Sequence, residues 1–271
     1  MVGKAGAGGR PAAVTSVYGD TVAAVWADGA GVVYDPLAAA LVATCPVRLP
    51  GARVLDAGSG TGVTASLVAA EGGRVVACDL SSSMISAQRG RRWPAAVADV
   101  LALPFPPQAF DAAIAAFLLN HIDPVAGLRE LTRVVRPRGA VIASTWAAGP
   151  DPVKSVIDGI LTARGWRPPP WYRTMKTVIE AVSGDPEGLG AAAHRAGLVE
   201  VSVTRRAEGL GVGDPLAVTH YRLAVPHIFP WVAGLDETTK GRLIDEAASA
   251  VEPLLPDWRP AVLFLAGRSP S

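Results

Sequence analysis

The residues best suited to hold a polar ligand lie in one short stretch, Arg53–Val63, with the sequence RVLDAGSGTGV. Apolar residues lead into the carboxylate of Asp56 and then into alternate glycines that begin with Gly58 and Gly60. This order predicts a strand, a tight turn and a helix. Glycine lets the backbone approach a ligand closely, and a helix start offers unpaired N–H groups. We therefore predict that Gly58, Ser59 and Gly60 hold a bulky polar molecule.

Two further carboxylates end later apolar stretches. Asp79 follows Asp56 by 23 residues, the position from which a carboxylate can accept both hydroxyls of a ribose, and Asp99 ends the next predicted strand. A dinucleotide fingerprint would need glycine or alanine where this chain has Val63, so the spacing disfavours a nicotinamide cofactor. Capping of a local turn remains an alternative role for Asp56 and for Asp99.

Strands and helices alternate through most of the chain, which predicts a doubly wound α/β fold with a mostly parallel sheet. The predicted strands are 53–57, 74–79, 95–99, 112–117, 140–146, 199–206 and 261–266. The predicted helices are 62–71, one from Ser82, one from Asp123 that stops at 136–139, 189–196 and 236–251. Residues 15–44 are also predicted to be helical, with a second helix opened by Tyr34–Pro36.

Two stretches interrupt this alternation. Residues 147–185 are rich in proline and aromatics, including WRPPPWY, and 213–256 contain apparent helices. Because the strands around them are needed to complete one sheet, we predict a single domain over 15–271 with both stretches as lids. The glycine-rich residues 1–14 are predicted to be a flexible tail.

Composition excludes several functional classes. A net charge of +1 over 271 residues gives no reason to expect a nucleic acid partner. No apolar run reaches membrane-spanning length, and two cysteines are too few for a disulfide or metal framework. We predict a cytoplasmic protein without a metal site, and its oligomeric state stays open.

Several blocks together carry a family resemblance. VLDAGSGTG, VVACDLSSSMI, the pair Ala98-Asp99, LPFPPQAFDAAIAAFLLNHI and LRELTRVVRPRGAVIAS resemble the class I S-adenosylmethionine-dependent methyltransferases, closest to their UbiE/COQ5-like small-molecule branch. The resemblance is clear over 34–145. It implies a Rossmann-like, seven-stranded sheet whose last strand is antiparallel and forms a hairpin with the sixth.

The resemblance also implies a place for each part of S-adenosylmethionine. Asp56 would organise its ammonium group, Asp79 the ribose, and Asp99 with the backbone of Val100 the adenine. Four apolar residues would line the rest of the site, two flanking adenine and two beneath the methionine portion: Leu80, Met84, Ala116 and Phe117. Tyr18, Trp26 and Tyr34 could offer aromatic faces to the sulfonium, with core packing as the alternative for Trp26.

Methyl transfer asks for alignment first and for a base only when the acceptor must lose a proton. His121, in LLNHI, is the candidate base, with a structural or positioning role as the alternative. His220 and His227 could face an acceptor from the second interruption, and His220 is the weaker catalytic candidate.

The predicted function is methyl transfer to an apolar or aromatic small molecule, and the apolar lids argue against a highly charged acceptor. Three alternatives remain: a non-methylating relative such as a cyclase, a non-catalytic cofactor-binding protein, and an oxidoreductase. The last rests on Tyr172 and Lys176 in YRTMK, a spacing that short-chain dehydrogenases share. The acceptor and the atom methylated stay open.

Overall fold

The computed structural model describes residues 23, 26, 29–88 and 91–271. The predicted tail at 1–14, the predicted helical start at 15–22 and Tyr18 lie outside the described residues. The described strands are β1 (Arg53–Ala57), β2 (Arg74–Asp79), β3 (Ala95–Val97), β4 (Phe110–Ala116), β5 (Val135–Trp146), β6 (Val199–Ala207) and β7 (Ala261–Arg268).

These strands form a seven-stranded sheet in the order β3-β2-β1-β4-β5-β7-β6. Strands β1 to β5 pair in parallel, whereas β7 runs antiparallel to both of its neighbours, β5 and β6. The predicted doubly wound sheet with an antiparallel last strand is confirmed. The carboxyl ends of β1, β2 and β4 therefore meet at one edge, which is where ligands bind in open α/β sheets.

Helices cover both faces of the sheet. They are α1 (Gly31–Val42), α2 (Val63–Ala70), α3 (Ser82–Ala87), α4 (Pro124–Val134), α5 (Pro152–Ala163), α6 (Pro170–Thr174), α7 (Glu180–Ser183), α8 (Pro186–Arg195), α9 (Pro215–Leu223), α10 (Phe229–Ala233) and α11 (Glu237–Val251). A π-helical stretch, Met175–Ile179, joins α6 to α7. Short 3₁₀ helices span Val100–Ala102 and Glu252–Asp257.

The strands are apolar along their length because both faces of the sheet are buried. Val54 and Ile142 belong to the core on the face covered by α1, α2, α5, α9 and α11. Leu55 and Val141, one residue away in each strand, belong to the core under α4 and α8. This alternation places successive side chains in two separate cores.

Several element boundaries differ from the predictions. Helix α1 begins at Gly31 and contains Pro36 in its interior, so Tyr34–Pro36 does not open a second helix. Strand β5 begins at Val135, which pairs with Phe110 of β4, rather than at residue 140 as predicted. The next pair is Ala112 with Ala140, so the stretch 136–139, predicted to end the helix, lies in a register shift within the strand. The two strands approach closely at this register shift, because a Cβ on Gly139 would lie only 2.6 Å from the carbonyl oxygen of Asp111.

The two interruptions of the sheet pattern pack on each other. Helix α11 packs against α5 and α9, and α9 also packs against α1. The interruptions thus build one helical layer that reaches from the sheet to α1.

Among the described residues, no helix has the length and apolar character needed to cross a membrane.

Candidate functional site

The glycine loop between β1 and α2 is held by backbone hydrogen bonds to the neighbouring strand. The amides of Gly58 and Ser59 donate to the carbonyl of Cys78 at 2.8 and 3.0 Å. Gly58 and Gly60 have positive φ angles of 69° and 51°, which favour glycine. A Cβ on Gly58 would lie 2.8 Å from Leu118 Cδ1, whereas a Cβ on Gly60 would meet nothing within 4 Å. The loop therefore presents bare backbone to open space at Gly60.

Asp79 ties the loop to the end of β2. Its Oδ2 accepts from the amide of Gly60 at 2.9 Å and its Oδ1 from the amide of Ser81 at 2.8 Å. Burial raises the pKa of Asp79, and these backbone bonds oppose that rise. Each carboxylate oxygen has a second lone pair, so Asp79 can still accept hydroxyl groups from a ligand.

Asp99 follows β3 and caps a 3₁₀ turn, where its Oδ1 accepts from the amide of Leu101 at 3.0 Å. The capping role left open from the sequence is thus present. It leaves room for a second role, because Asp99 also lines the cavity described next.

A cavity of about 680 Å³, here called the glycine-loop cavity, opens at this edge of the sheet. Every predicted cofactor residue except Asp56 lines it, together with His121. The residues so placed are Tyr34, Gly58, Ser59, Gly60, Asp79, Leu80, Met84, Asp99, Val100, Ala116 and Phe117. The fold thus brings these residues, which are far apart in the sequence, to the wall of one cavity.

Asp56 lies beneath the loop. Its side chain is 1% exposed, and among the described residues neither carboxylate oxygen has a hydrogen-bond partner. Burial raises the pKa of Asp56 to about 7; the nearby backbone amide of Ala65 opposes this rise, and the negative charge of Asp79 adds to it. A buried carboxyl group in this state favours a cation or donor nearby.

Gln88, at the end of α3, is a contributor that sequence reasoning missed. Its Nε2 donates to Ser59 Oγ at 2.9 Å and to the carbonyl of Gly60, while its Oε1 accepts from Trp93 Nε1 at 3.0 Å. The side chain is 4% exposed. No spacing motif marks this glutamine, and only the fold brings it 28 residues back to the loop.

A second cavity of about 270 Å³ adjoins the first. Four residues line both: Trp26, Tyr34, His121 and Met175. Tyr34 is the centre of an aromatic cluster, with ring centroids 5.0 Å from Phe117, 5.1 Å from Trp26, 5.8 Å from Tyr221 and 5.9 Å from Trp146. Burial raises the pKa of Tyr34 to about 12, so its hydroxyl stays protonated.

The second cavity is walled by both interruptions, and its wall is not apolar throughout as expected from the sequence. Arg222 of α9 forms a bidentate pair with Asp158 of α5, at 2.8 Å from Nε and 2.5 Å from Nη2. Lys176 pairs with Glu180. Lys154, from the first turn of α5, lies with its ammonium 3.5 Å from the ring centre of Trp146.

The histidines divide by position. His121 lines both cavities, and burial lowers its pKa to about 4. His227 lines the second cavity with its ring stacked on Tyr172 at 3.6 Å. His220 is exposed and lines neither of the two cavities, so the structure does not place it with the other predicted site residues. Helix α9 instead turns Tyr221, next in sequence, towards the cavity.

Comparison with known proteins agrees with this geometry. A family model described as a methyltransferase domain matches residues 55–143, which run from β1 into β5. A demethylmenaquinone methyltransferase of Corynebacterium kroppenstedtii is 40% identical over 139 residues, covering 51% of this chain and 57% of that protein. Residues 55–143 of this chain are thus similar to methyltransferase domains. The UbiE-like resemblance is confirmed over the matched stretch.

Two further relatives also match only part of each chain. Demethylmenaquinone methyltransferases of Beutenbergia cavernae and of Mycobacterium sp. strain KMS are 34% and 46% identical, over 51% and 34% of this chain and 55% and 41% of those proteins. The chain therefore spans about half the length of the curated relatives it matches.

Solved structures share the fold of this chain. A Haemonchus contortus phosphoethanolamine N-methyltransferase 2 bound to S-adenosylhomocysteine aligns with a TM-score of 0.57, 19% identity, 87% coverage of this chain and 52% of that chain. The [4+2]-cyclase SpnF aligns with a TM-score of 0.55, 20% identity, and 87% and 80% coverage. At these identities the likeness describes the fold alone.

Proposed function

We propose that the chain transfers a methyl group from S-adenosylmethionine, bound in the glycine-loop cavity, to a small aromatic molecule in the second cavity. The observation that carries this proposal is the meeting of the two cavities at Tyr34 and His121. A donor and an acceptor held on either side of one shared wall are aligned before reaction, which supplies much of the rate acceleration in a displacement at carbon.

The residues of the glycine-loop cavity fit this donor. Asp79 would accept the ribose hydroxyls, and Asp99 with the backbone of Val100 would hold the adenine. The bare backbone at Gly60 leaves space for the amino-acid end, whose ammonium would be drawn towards the partnerless carboxyl group of Asp56.

Apolar side chains complete the donor site. Leu80 and Met84 would flank the adenine, while Ala116 and Phe117 would lie beneath the methionine portion. When bound, the donor supplies an electrophilic methyl group on a sulfonium. The rings of Tyr34 and Trp26, which line both cavities, would face that cation and stabilise it by about 0.5–2 kcal/mol.

The acceptor site lies between the two interruptions, which we propose act as lids over one domain. Trp146, Trp171 and Tyr172 line the second cavity and fit an aromatic ring. Relatives named demethylmenaquinone methyltransferases support an aromatic acceptor. We further propose that the protein is cytoplasmic. We also propose that it has no nucleic acid partner, because its net charge is +1.

His121 is proposed as the residue beside the reacting centre. Burial lowers its pKa to about 4, so the imidazole is neutral at pH 7 and can accept a proton or a hydrogen bond there. A base is required only if the acceptor reacts through a group that must lose a proton.

Calorimetry tests the donor and a methyl-transfer assay tests the reaction. We expect S-adenosylmethionine and S-adenosylhomocysteine to bind and NAD not to bind; absence of binding by the first two contradicts the proposal. Labelled S-adenosylmethionine is then incubated with phenols, quinone precursors and amines. Donor binding without transfer to any acceptor would identify a non-methylating relative or a cofactor-binding protein instead.

A further inference from the structure

Lys154 is an ammonium group placed in the wall of the second cavity. It lies in the first turn of α5, where its backbone amide donates to the N-cap carboxylate of Asp151 at 3.0 Å. Its ammonium lies over the ring of Trp146, and Oδ2 of Asp151 is 3.4 Å away. The side chain is 20% exposed. An amphipathic lysine held this way directs its charge towards the cavity that it lines.

Among the described residues, three other cationic side chains line the cavity; two are paired with dedicated carboxylates, and the third, Arg205, is exposed. Arg222 is engaged on two nitrogens by Asp158, and Lys176 is paired with Glu180. The carboxylate beside Lys154 is shared, because Oδ1 of Asp151 also accepts from Nε1 of Trp258 at 3.2 Å. An ammonium has three donors, so Lys154 keeps donor capacity that its long contact with Asp151 does not use.

Two titrating groups indicate that the second cavity favours added negative charge. Burial lowers the pKa of Lys154 to about 8, helped by Arg222 and Lys176 and opposed by Asp151. Burial also lowers the pKa of His227 well below its usual range, with Arg222 and Lys154 among the contributing cations. Burial disfavours a charge of either sign, whereas the contribution of the neighbouring cations to both shifts is the part that favours an added anion.

His227 and its neighbours leave space for a planar ligand beside this charge. Nε2 of His227 is buried without a hydrogen-bond partner among the described residues. Its ring is stacked on Tyr172, and Trp171 lies edge-on with ring centroids 6.4 Å apart. Aromatic faces and a partnerless imidazole acceptor lie around the same cavity as the Lys154 ammonium.

We propose that Lys154 binds an ionised oxygen of the acceptor, so that the second cavity selects aromatic molecules carrying a carboxylate or phenolate. This deepens the proposed function, because it assumes that the second cavity is the acceptor site. The ring of the ligand lies against Trp146 and Tyr172, and the negative oxygen completes the donor capacity of Lys154. Lys154 is a binding residue and takes no part in the bond changes.

The test compares two probes that differ in charge alone, 2-naphthoate and its neutral amide, 2-naphthamide. Calorimetry is performed on the full chain with saturating S-adenosylhomocysteine at pH 7. We expect wild type to bind the carboxylate at least about tenfold more tightly than the amide. Lys154→Met should reduce this ratio to near one, Lys154→Arg should keep most of it, and the remote Lys240→Met, on α11, should leave it unchanged.

The pH dependence separates Lys154 from its neighbours. A carboxylate probe stays ionised from pH 6 to 9.5, so its affinity should be constant up to about pH 8 and then fall as Lys154 loses its proton. Lys154→Arg should remove this fall, because arginine stays charged. The other titratable groups among the described residues that face Lys154 or line its cavity are Tyr34, His121, Asp151, Asp158, Tyr172, Lys176, Glu180, Arg205, Tyr221, Arg222 and His227.

Several results would overturn the proposal: equal affinity of wild type for the two probes, binding of neither, or a preference that survives in Lys154→Met. Binding of S-adenosylhomocysteine is measured first in each variant as a check of folding. If wild type does not bind it, the proposed function fails, while the preference between probes can still be measured. Absorbance of bound 2-naphthol then shows whether a phenolate is accepted like the carboxylate.

Discussion

Replacing Gly60 by alanine tests whether the bare backbone of the loop is a ligand surface, and Gly51 provides a matched control. Both glycines have positive φ angles, 51° and 79°, and a Cβ on either meets nothing within 4 Å. Left-handed backbone costs a non-glycine residue about 1–2 kcal/mol, offset by about 0.4–1 kcal/mol from a less flexible unfolded chain. We expect both variants to lose about 1 kcal/mol of stability, or roughly 2–4 °C in Tm.

The two variants should differ in ligand binding. Gly60 lines the glycine-loop cavity, whereas Gly51 lies in the turn before β1, at the other end of that strand. If the added methyl group moves the bound S-adenosylhomocysteine out of one charge-assisted hydrogen bond, the loss is about 1.5–3 kcal/mol, or roughly ten- to a hundredfold in affinity. Calorimetry with S-adenosylhomocysteine should show this loss in Gly60→Ala and wild-type affinity in Gly51→Ala. Equal affinities in both variants would refute the placement of the donor at the loop.

Three other residues yield predictions. Asp79→Asn should weaken S-adenosylhomocysteine binding by roughly ten- to a hundredfold in calorimetry, because the amide nitrogen of asparagine donates and can accept neither a loop N–H nor a ribose hydroxyl; unchanged affinity contradicts the ribose role. Burial raises the pKa of Asp56 from 3.8 to about 7, so its protonated form stabilises the fold below pH 4 and this contribution is lost as the pH rises to 7. Thermal unfolding of the ligand-free chain should show that slope in wild type and a flatter one in Asp56→Asn, and identical slopes would count against it. His121→Ala should lower turnover by about 10²–10⁴ if His121 is the base, with the acid limb of the wild-type rate near pH 4; lost donor affinity at unchanged turnover would exclude that role.

The donor half of the site could be predicted from sequence because it depends on strand ends. Asp79 and Asp99 each follow a short apolar run, and a parallel sheet brings such ends to one edge whatever the helices between them do. Their shared cavity with Gly60 follows from topology alone. Gln88 could not be predicted, because its contact with the loop depends on how α3 ends.

The acceptor half was harder to predict, although one local signal was available. A capping aspartate followed by a first-turn proline predicts the helix that begins at Asp123-Pro124. The same pair begins α5, α8 and α9 at Asp151, Asp185 and Asp214, and each of these carboxylates accepts from a backbone amide of its helix. The helices of the interruptions were therefore detectable, but their mutual packing was not.

The charges of the second cavity come from separate helices, so no spacing rule relates them. Lys154 and Asp158 are on α5, and Arg222 is on α9, 64 residues further along the chain. Taken singly, each reads as a solvated surface charge. Only the packing of α9 on α5 buries Arg222 to 6% exposure and makes its pairing with Asp158 part of the wall of the second cavity.

Phe117 shows how the two halves are joined. It follows β4 with a φ of 54°, a region that a bulky residue adopts only when its surroundings compensate for about 1–2 kcal/mol of strain. Its amide donates to the carbonyl oxygen of Ser144 at 2.9 Å, and its ring lies 4.6 Å from Trp146 and 5.0 Å from Tyr34. The backbone turn thus places this ring against Tyr34, which both cavities share, and Trp146, over which Lys154 lies. The strained backbone of Phe117 at the end of β4 therefore brings a wall of the glycine-loop cavity into direct contact with a wall of the second cavity.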